Sequence, residues 1–252
     1  SEARKLYNDD QMFLKKIIDN KMFTANAVVG IFPANTVVDD ILVFEDEARS
    51  KQLTTFYNFR QQTAKEQGEP NLSLSDFIAP VGTPDYIGTF ACTAGIGIDK
   101  WIAQYEADND MYSSIMLKAL TDRLAEALAE LMHHKVRTEL WGYSKQEKLN
   151  VHEMIKERYD GIRPAFGYPA CPEHSEKRTL FDLLKVEESI GLSLTEHFAM
   201  TPTAAVSGLY FAHPASKYFG VGKIDNDQLD DYCKRKGADR GFIEKLIRPN
   251  LL

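Results

Sequence analysis

An arginine, Arg163, stands near the start of a segment that no helix or central strand tolerates, "GIRPAFGYPACPEH" at residues 161–174. Prolines fix φ and remove backbone donors, while glycines let a ligand come close to the main chain. Around Arg163, Ala165 and Gly167 the backbone is expected to stay out of regular pairing, its amides and carbonyls free to read a small polar molecule. The guanidinium is a planar fork suited to a carboxylate. The same residues also read as a rigid connector between helices, with Arg163 in a structural ion pair. The physics of the segment leaves both readings open.

Other spacings carry less. Glu130 and His133 form one Glu-x-x-His; a carboxylate-bridged metal pair needs two such motifs on facing helices, so a solvated helix face is the stronger reading. Asp122 and Glu126 are one helical turn apart and share a face. They could meet a basic or histidine-bearing partner, or form a surface stripe balanced by Lys118 and Arg123. "GIGIDK" (95–100) lacks the third glycine of a dinucleotide fingerprint and reads as a helix-opening turn. Neither a P-loop nor G-x-S-x-G occurs, and His152, Glu153 and Glu157 miss H-E-x-x-H because position 156 is lysine. His174, His197 and His213 are isolated. Cys92, Cys171 and Cys233 are odd in number and far apart, which suggests neither a disulfide framework nor a zinc knuckle and fits a reducing, cytoplasmic setting.

Composition bounds the rest. The 252 residues are 44% hydrophobic and 27% charged, ordinary globular usage, and the net charge of -7 argues against non-specific nucleic-acid binding. No apolar run is long enough to span a membrane, and the N-terminus lacks a signal-peptide pattern. Both ends read as cut.

The elements that must position these groups follow from periodicity. Residues 2–20 suit an amphipathic helix. "AVVGIFPAN" (27–35) reads as a buried strand stopped by Pro33 and Asn35, "DDILVFED" (39–46) as a second, joined to it by "ANTV" in a hairpin. Residues 53–62 and 85–95 read as further strands. From Met111 to Trp141, Leu117, Leu120, Leu124, Leu128 and Leu131 recur at helical steps with no Gly or Pro inside. Shorter helices are expected at 150–158, 180–190, 225–237 (capped by Asp225, stopped by Gly237) and 239–247. Residues 205–214 and 217–224 read as a hairpin around Pro214. Antiparallel hairpins separated by helices indicate an α+β class, and no linker divides the chain, so one domain is expected.

"GIRPAFGYPACPEHSEK" resembles the R-P-A-x-G-Y-P-A-C-P-(D/E)-H signature of the activation domain of cobalamin-dependent methionine synthase. "ANAVVGIFPANTVVDDI", "DYIGTFACTAG", "IMLKALTDRLAEALAE", "LTEHFAMTPTAAVSGLYFAHPASKYFGVGKI" and "DQLDDYCKRKG" match in order. The resemblance implies a bent antiparallel sheet with flanking helices. It implies a C-terminal module of a methyltransferase that reactivates oxidised cobalamin, using S-adenosylmethionine and one electron from flavodoxin or a flavoprotein reductase. Cobalamin would sit on another domain of the same polypeptide, and the zinc of the full enzyme elsewhere again. By motif, Arg163 would pair with the ligand carboxylate; Pro164, Ala165, Gly167 and Tyr168 would line it through the backbone; Tyr218 and Phe219 would lie alongside. Asp122 and Glu126 would face the cobalamin domain and its released histidine. Two departures stand out. Phe166 replaces a common proline, and the family's upstream Asp-Trp-Thr-Pro-Phe-Phe stretch, whose aspartate helps bind the ligand, is absent. Weak ligand binding, or a docking-only role, is the corresponding alternative.

Overall fold

A computed structural model describes residues 2–252. In chain order the elements are α1 (Glu2–Asp19), β1 (Thr24–Val37), β2 (Asp40–Phe44), β3 (Gln52–Phe56), β4 (Asp85–Ile96), α2 (Asp99–Ala107), α3 (Met111–Lys135), α4 (Val151–Ile155), α5 (Glu176–Leu184), α6 (Val186–Ile190), β5 (Ser193–Leu194), β6 (Met200–Thr201), β7 (Ala205–Tyr210), α7 (Asn226–Lys236) and α8 (Arg240–Leu246). The larger sheet has the order β3-β2-β1-β4-β7, and β5 pairs with β6. The β1–β2 and β2–β3 pairs are antiparallel. With helices flanking the sheet, this is the expected α+β class.

Some boundaries differ from expectation for clear reasons. β1 does not stop at Pro33. Its register with β2 begins at Ala34, so the missing proline N–H removes no bond from that ladder. Residues 34–37 belong to the strand, and the turn follows at Val38, a left-handed residue with φ 54°. Residues 217–224 form no strand. The end of β7 pairs instead with the proline-rich loop, through reciprocal bonds between Ile162 and Phe211 of 3.1 and 3.0 Å. Gly222, at φ 75°, further breaks any extended run. The long helix ends at Lys135 and widens into a π-helical turn at Val136–Leu140.

The chain falls into two compact units. The first comprises the chain up to Val28, Ala91–Met132 and Val186–Val206. Ile17, Met22, Ile98, Tyr105 and Leu117 form one cluster in it, and Trp101 Nε1 donates to the Met22 carbonyl at 2.6 Å. Along α3 the fully buried line is Leu117, Thr121, Ala125 and Ala129, one residue per turn. The leucines at 120, 124 and 128 are only half-buried, and Leu131 is exposed. Small residues win that line because β4 and Ala204 come close: Ala94, Ala125 and Ala204 touch.

The second unit comprises Val29–Phe90, His133–Lys185 and Ser207–Leu252. α7 is capped by the Asp225 carboxylate, which accepts from the Asn226 amide, and is closed by Gly237 at φ 67°. It packs Leu229, Tyr232 and Cys233 against Phe59, Val221, Ile224, Ile243 and Ile247, and the Tyr232 ring stacks on Phe59 at 4.0 Å. Lys236 at its end is drawn into a buried ionic cluster with Glu173 and Glu176, and its ammonium also donates to Ser175 Oγ at 2.8 Å.

Two carboxylates face one ammonium there, out of water. Burial pushes the Glu176 carboxyl from 4.5 up to about 7, with Lys236 pulling the other way and Glu173 adding to the rise. A carboxyl whose folded pKa exceeds its unfolded value binds more protons when folded, so its contribution to stability declines as pH rises from about 4.5 to about 7. We expect Glu176→Gln to flatten the stability–pH curve over that window, by on the order of 2–3 kcal/mol across it. Denaturant titrations at several pH values check this; parallel curves for the two proteins would contradict it.

Candidate functional site

The site is built at the C-terminal end of α3. His133 and Arg137 are four residues apart and emerge on one face of the helix, both fully buried. Arg137 already lies within the π turn, where the Trp141 and Gly142 amides both reach the Val136 carbonyl at 3.0 Å. Such turns add one residue to a helix and re-aim its side chains. The chain then returns so that Glu147 receives the Arg137 fork, Nε to Oε2 at 2.7 Å and Nη2 to Oε1 at 2.8 Å. His134 Nδ1 lies 3.0 Å from the same carboxylate. Burial opposes the Glu147 charge, but the Arg137 fork and His134 hold the carboxyl below its ordinary value. A buried bidentate pair of this kind fixes geometry more than it adds stability.

His133 is held by rings on two sides. Its imidazole stacks on Tyr210 at 5.0 Å and 17°, and Tyr159 meets it edge-on at 5.0 Å and 80°. Tyr210 in turn stacks on Phe90 at 4.5 Å. Tyr159 also lies under the Arg137 guanidinium, 3.8 Å from its centre.

Arg163 completes the cluster. Its Nη1 donates to Tyr159 Oη at 2.9 Å and lies 3.2 Å from His133 Nδ1. Its backbone N–H donates to the Tyr218 hydroxyl at 3.0 Å, across 55 residues of chain. The structure thus sets the Tyr218 hydroxyl against the Arg163 backbone, so these two of the expected residues are neighbours. Tyr218 is itself 45% exposed. Beside the cluster, Tyr143, Lys145, Lys148, Arg158, Tyr159 and Asp160 help line a polar cleft of about 440 Å³.

The loop is less free than its composition suggests. The Pro164 carbonyl accepts from the Leu209 amide at 2.9 Å. The Ala165 carbonyl accepts from the Tyr168 amide at 3.3 Å and from the Cys171 thiol at 3.0 Å. The Gly167 amide donates to the Cys171 carbonyl at 2.8 Å. The prolines keep these groups out of long ladders, and a short local turn then claims them. Burial, with Glu176 nearby, pushes the Cys171 thiol up, so it stays a neutral donor.

The remaining expected residues fall in varied places. Pro164 is buried, and Tyr168 is exposed. Gly167 sits at φ 91°, and a Cβ there would lie 2.2 Å from the His174 ring, so turn and packing both require glycine. Phe219 is half-buried, against the Tyr232 cluster and edge-on to Phe77 at 6.3 Å. Phe166, at the position where proline is common, is buried and packs on Phe56 at 5.7 Å. Asp122 and Glu126 belong to the first unit, both exposed and one turn apart on α3. His133 is no solvated-face histidine, and among the described residues it joins no cluster of metal-ligating side chains. Sequence reasoning missed Arg137, Tyr143, Glu147, Tyr159 and Asp160; the one available signal was the His133–Arg137 spacing.

Comparison with known proteins decides what this arrangement belongs to. Residues 1–237 match the family described as "Vitamin B12 dependent methionine synthase, activation domain". The chain belongs to this family. Among solved structures, the crystal structure of the MetH reactivation domain bound to AdoHcy superposes with a TM-score of 0.97 at 49% identity, covering 99% of this chain and 77% of that one. Such agreement over the whole length makes this chain an activation domain of vitamin B12-dependent methionine synthase in fold as well as in motif. The loop that holds Arg163 lies within the matched span.

Proposed function

We propose that residues 1–252 act as one activation domain that binds S-adenosylmethionine at Arg163 and presents its methyl group to cobalamin carried by another domain. In this reading the Arg163 guanidinium grips the carboxylate of the ligand. Tyr218 fixes the Arg163 backbone, and the loop residues Pro164, Ala165, Gly167 and Tyr168 form the adjoining wall, with Phe219 behind Tyr218. The carbonyl of Ala165 already has both lone pairs engaged, by the Tyr168 amide and the Cys171 thiol, so a ligand donor there would displace the weak thiol bond. The methyl passes from the sulfonium to the cobalt centre as the S–C bond breaks, with one electron from flavodoxin or a flavoprotein reductase, leaving S-adenosylhomocysteine. This chain needs no nucleophile or general base for that; its work is orientation. Asp122 and Glu126 present two exposed carboxylates to the cobalamin domain and its released histidine. A cytoplasmic setting accords with three cysteines that form no disulfide.

One observation carries the reading: a half-buried arginine, its guanidinium held by Tyr159 and His133 and its backbone tied to Tyr218, in a chain alike over its whole length to an AdoHcy-bound domain. Calorimetric titration with S-adenosylhomocysteine tests it. We expect saturable one-site binding; no heat of binding, with the fold intact by circular dichroism, would leave only docking as a function.

A further inference from the structure

We propose that His133 is a positioning residue for the ligand-binding arginine: its neutral imidazole accepts from Arg163 Nη1 and so aims the guanidinium at the carboxylate. This rests on the reading of Arg163 given above.

The tautomer follows from the partners. Arginine only donates, so at 3.2 Å from Arg163 Nη1 the His133 Nδ1 must be the bare, accepting nitrogen. The proton then sits on Nε2, which faces the Tyr143 hydroxyl at 3.4 Å, and that hydroxyl in turn faces the Asp160 carbonyl at 3.4 Å. Donor and acceptor roles thus run in one direction, from Arg163 through His133 and Tyr143 to a backbone carbonyl. The ring cannot swing out of this line, because Tyr210 covers one face and Tyr159 meets its edge. Nor does it charge: burial, then the Arg137 and Arg163 guanidiniums and His134, press its pKa down to about 2. A protonated imidazole would have no lone pair to offer and would repel both arginines. Tyr159 supplies a second fixed acceptor for the same Nη1, at 2.9 Å. With one nitrogen held by two rigid acceptors, the plane of the fork is set, which is what bidentate carboxylate recognition requires.

The test uses substitutions that separate the two ring nitrogens. An asparagine amide oxygen falls near the Nδ1 position and can accept from Arg163; a glutamine amide nitrogen falls near Nε2 and keeps only the link to Tyr143. Titrations with S-adenosylhomocysteine and with 5′-methylthioadenosine, which lacks the amino-acid end, read the effect. We expect His133→Leu to weaken S-adenosylhomocysteine about tenfold. His133→Asn should recover to within about threefold of wild type and His133→Gln should not. Methylthioadenosine affinity should stay unchanged throughout. In an Arg163→Ala background His133→Leu should add nothing further, since the two act through one contact. Equal loss of both ligands, wild-type affinity in His133→Leu, or rescue by glutamine instead of asparagine would overturn the proposal. Nitrogen-15 NMR of the wild-type imidazole judges the geometry without a ligand, even where His133→Leu fails to fold: Nδ1 should stay bare and the ring neutral from about pH 5 to 9. A proton on Nδ1 refutes it. Failure of wild type to bind S-adenosylhomocysteine sinks the Arg163 reading, and the positioning role with it, whatever the tautomer.

Discussion

Arg163→Ala is expected to weaken S-adenosylhomocysteine binding by at least about 100-fold while leaving 5′-methylthioadenosine nearly untouched. Charge-assisted bonds to one carboxylate contribute about 1.5–3 kcal/mol each, and truncating one member of a desolvated charged pair commonly costs about 2–5 kcal/mol. The contrast between ligands matters more than the total, because only the larger one carries a carboxylate. Arg163→Lys should restore little. An ammonium is a point charge without the fork, and it cannot reach His133, Tyr159 and a carboxylate in one plane. Titration calorimetry of the three proteins against both ligands is sufficient. Should Arg163→Ala bind S-adenosylhomocysteine as wild type does, the amino-acid end is held elsewhere.

The second large effect is expected at Gly208, in β7. A Cβ there would lie 2.3 Å from the Pro164 carbonyl oxygen, 3.1 Å from its carbon and 3.2 Å from Ala165 Cα. All three are backbone atoms, so nothing can rotate away. Gly208→Ala must push the loop off β7 and break the Leu209–Pro164 bond of 2.9 Å. Overpacking costs about 1–3 kcal/mol and the lost bond about 1 kcal/mol, so destabilisation of about 2–4 kcal/mol is expected. Ligand affinity should fall at least about tenfold as well, because Arg163 immediately precedes the displaced proline. Gly220→Ala is the control: its nearest neighbour is the Pro169 side chain at 3.3 Å. Denaturation midpoints settle the comparison; wild-type stability in Gly208→Ala would show that the contact yields more easily than its geometry allows.

Much of this was legible in the residue order, and the gaps have physical causes. Helix limits set by local chemistry, such as Asp225 and Gly237 around α7, came out as expected because caps act within one turn. The irregular loop was legible for the same reason, since proline and glycine act on their own backbone. What failed was pairing. Residues 217–224 have strand composition, yet Phe211 chose Ile162, a partner 49 positions away, and no local pattern encodes that choice. The role of His133 was hidden likewise. A histidine four residues before an arginine on a polar helix reads as surface until the chain returns Glu147 onto Arg137 and Tyr210 arrives from β7 to stack on the imidazole. The leucine stripe of α3 found the helix but not its most buried line, because alanines sit where backbones approach.

The mooring of the loop along β7 has one more consequence. Because Ile162 and Pro164 spend their hydrogen-bonding groups on Phe211 and Leu209 as the chain folds, the segment meets any ligand preorganised. The entropy of ordering it is settled before encounter and does not subtract from affinity. Association should then proceed as rigid docking, with no slow closure step and little change in heat capacity beyond that of the surface covered. A module of this kind answers by being ready in shape; on the reading proposed above, what must move is the domain that carries the cobalamin.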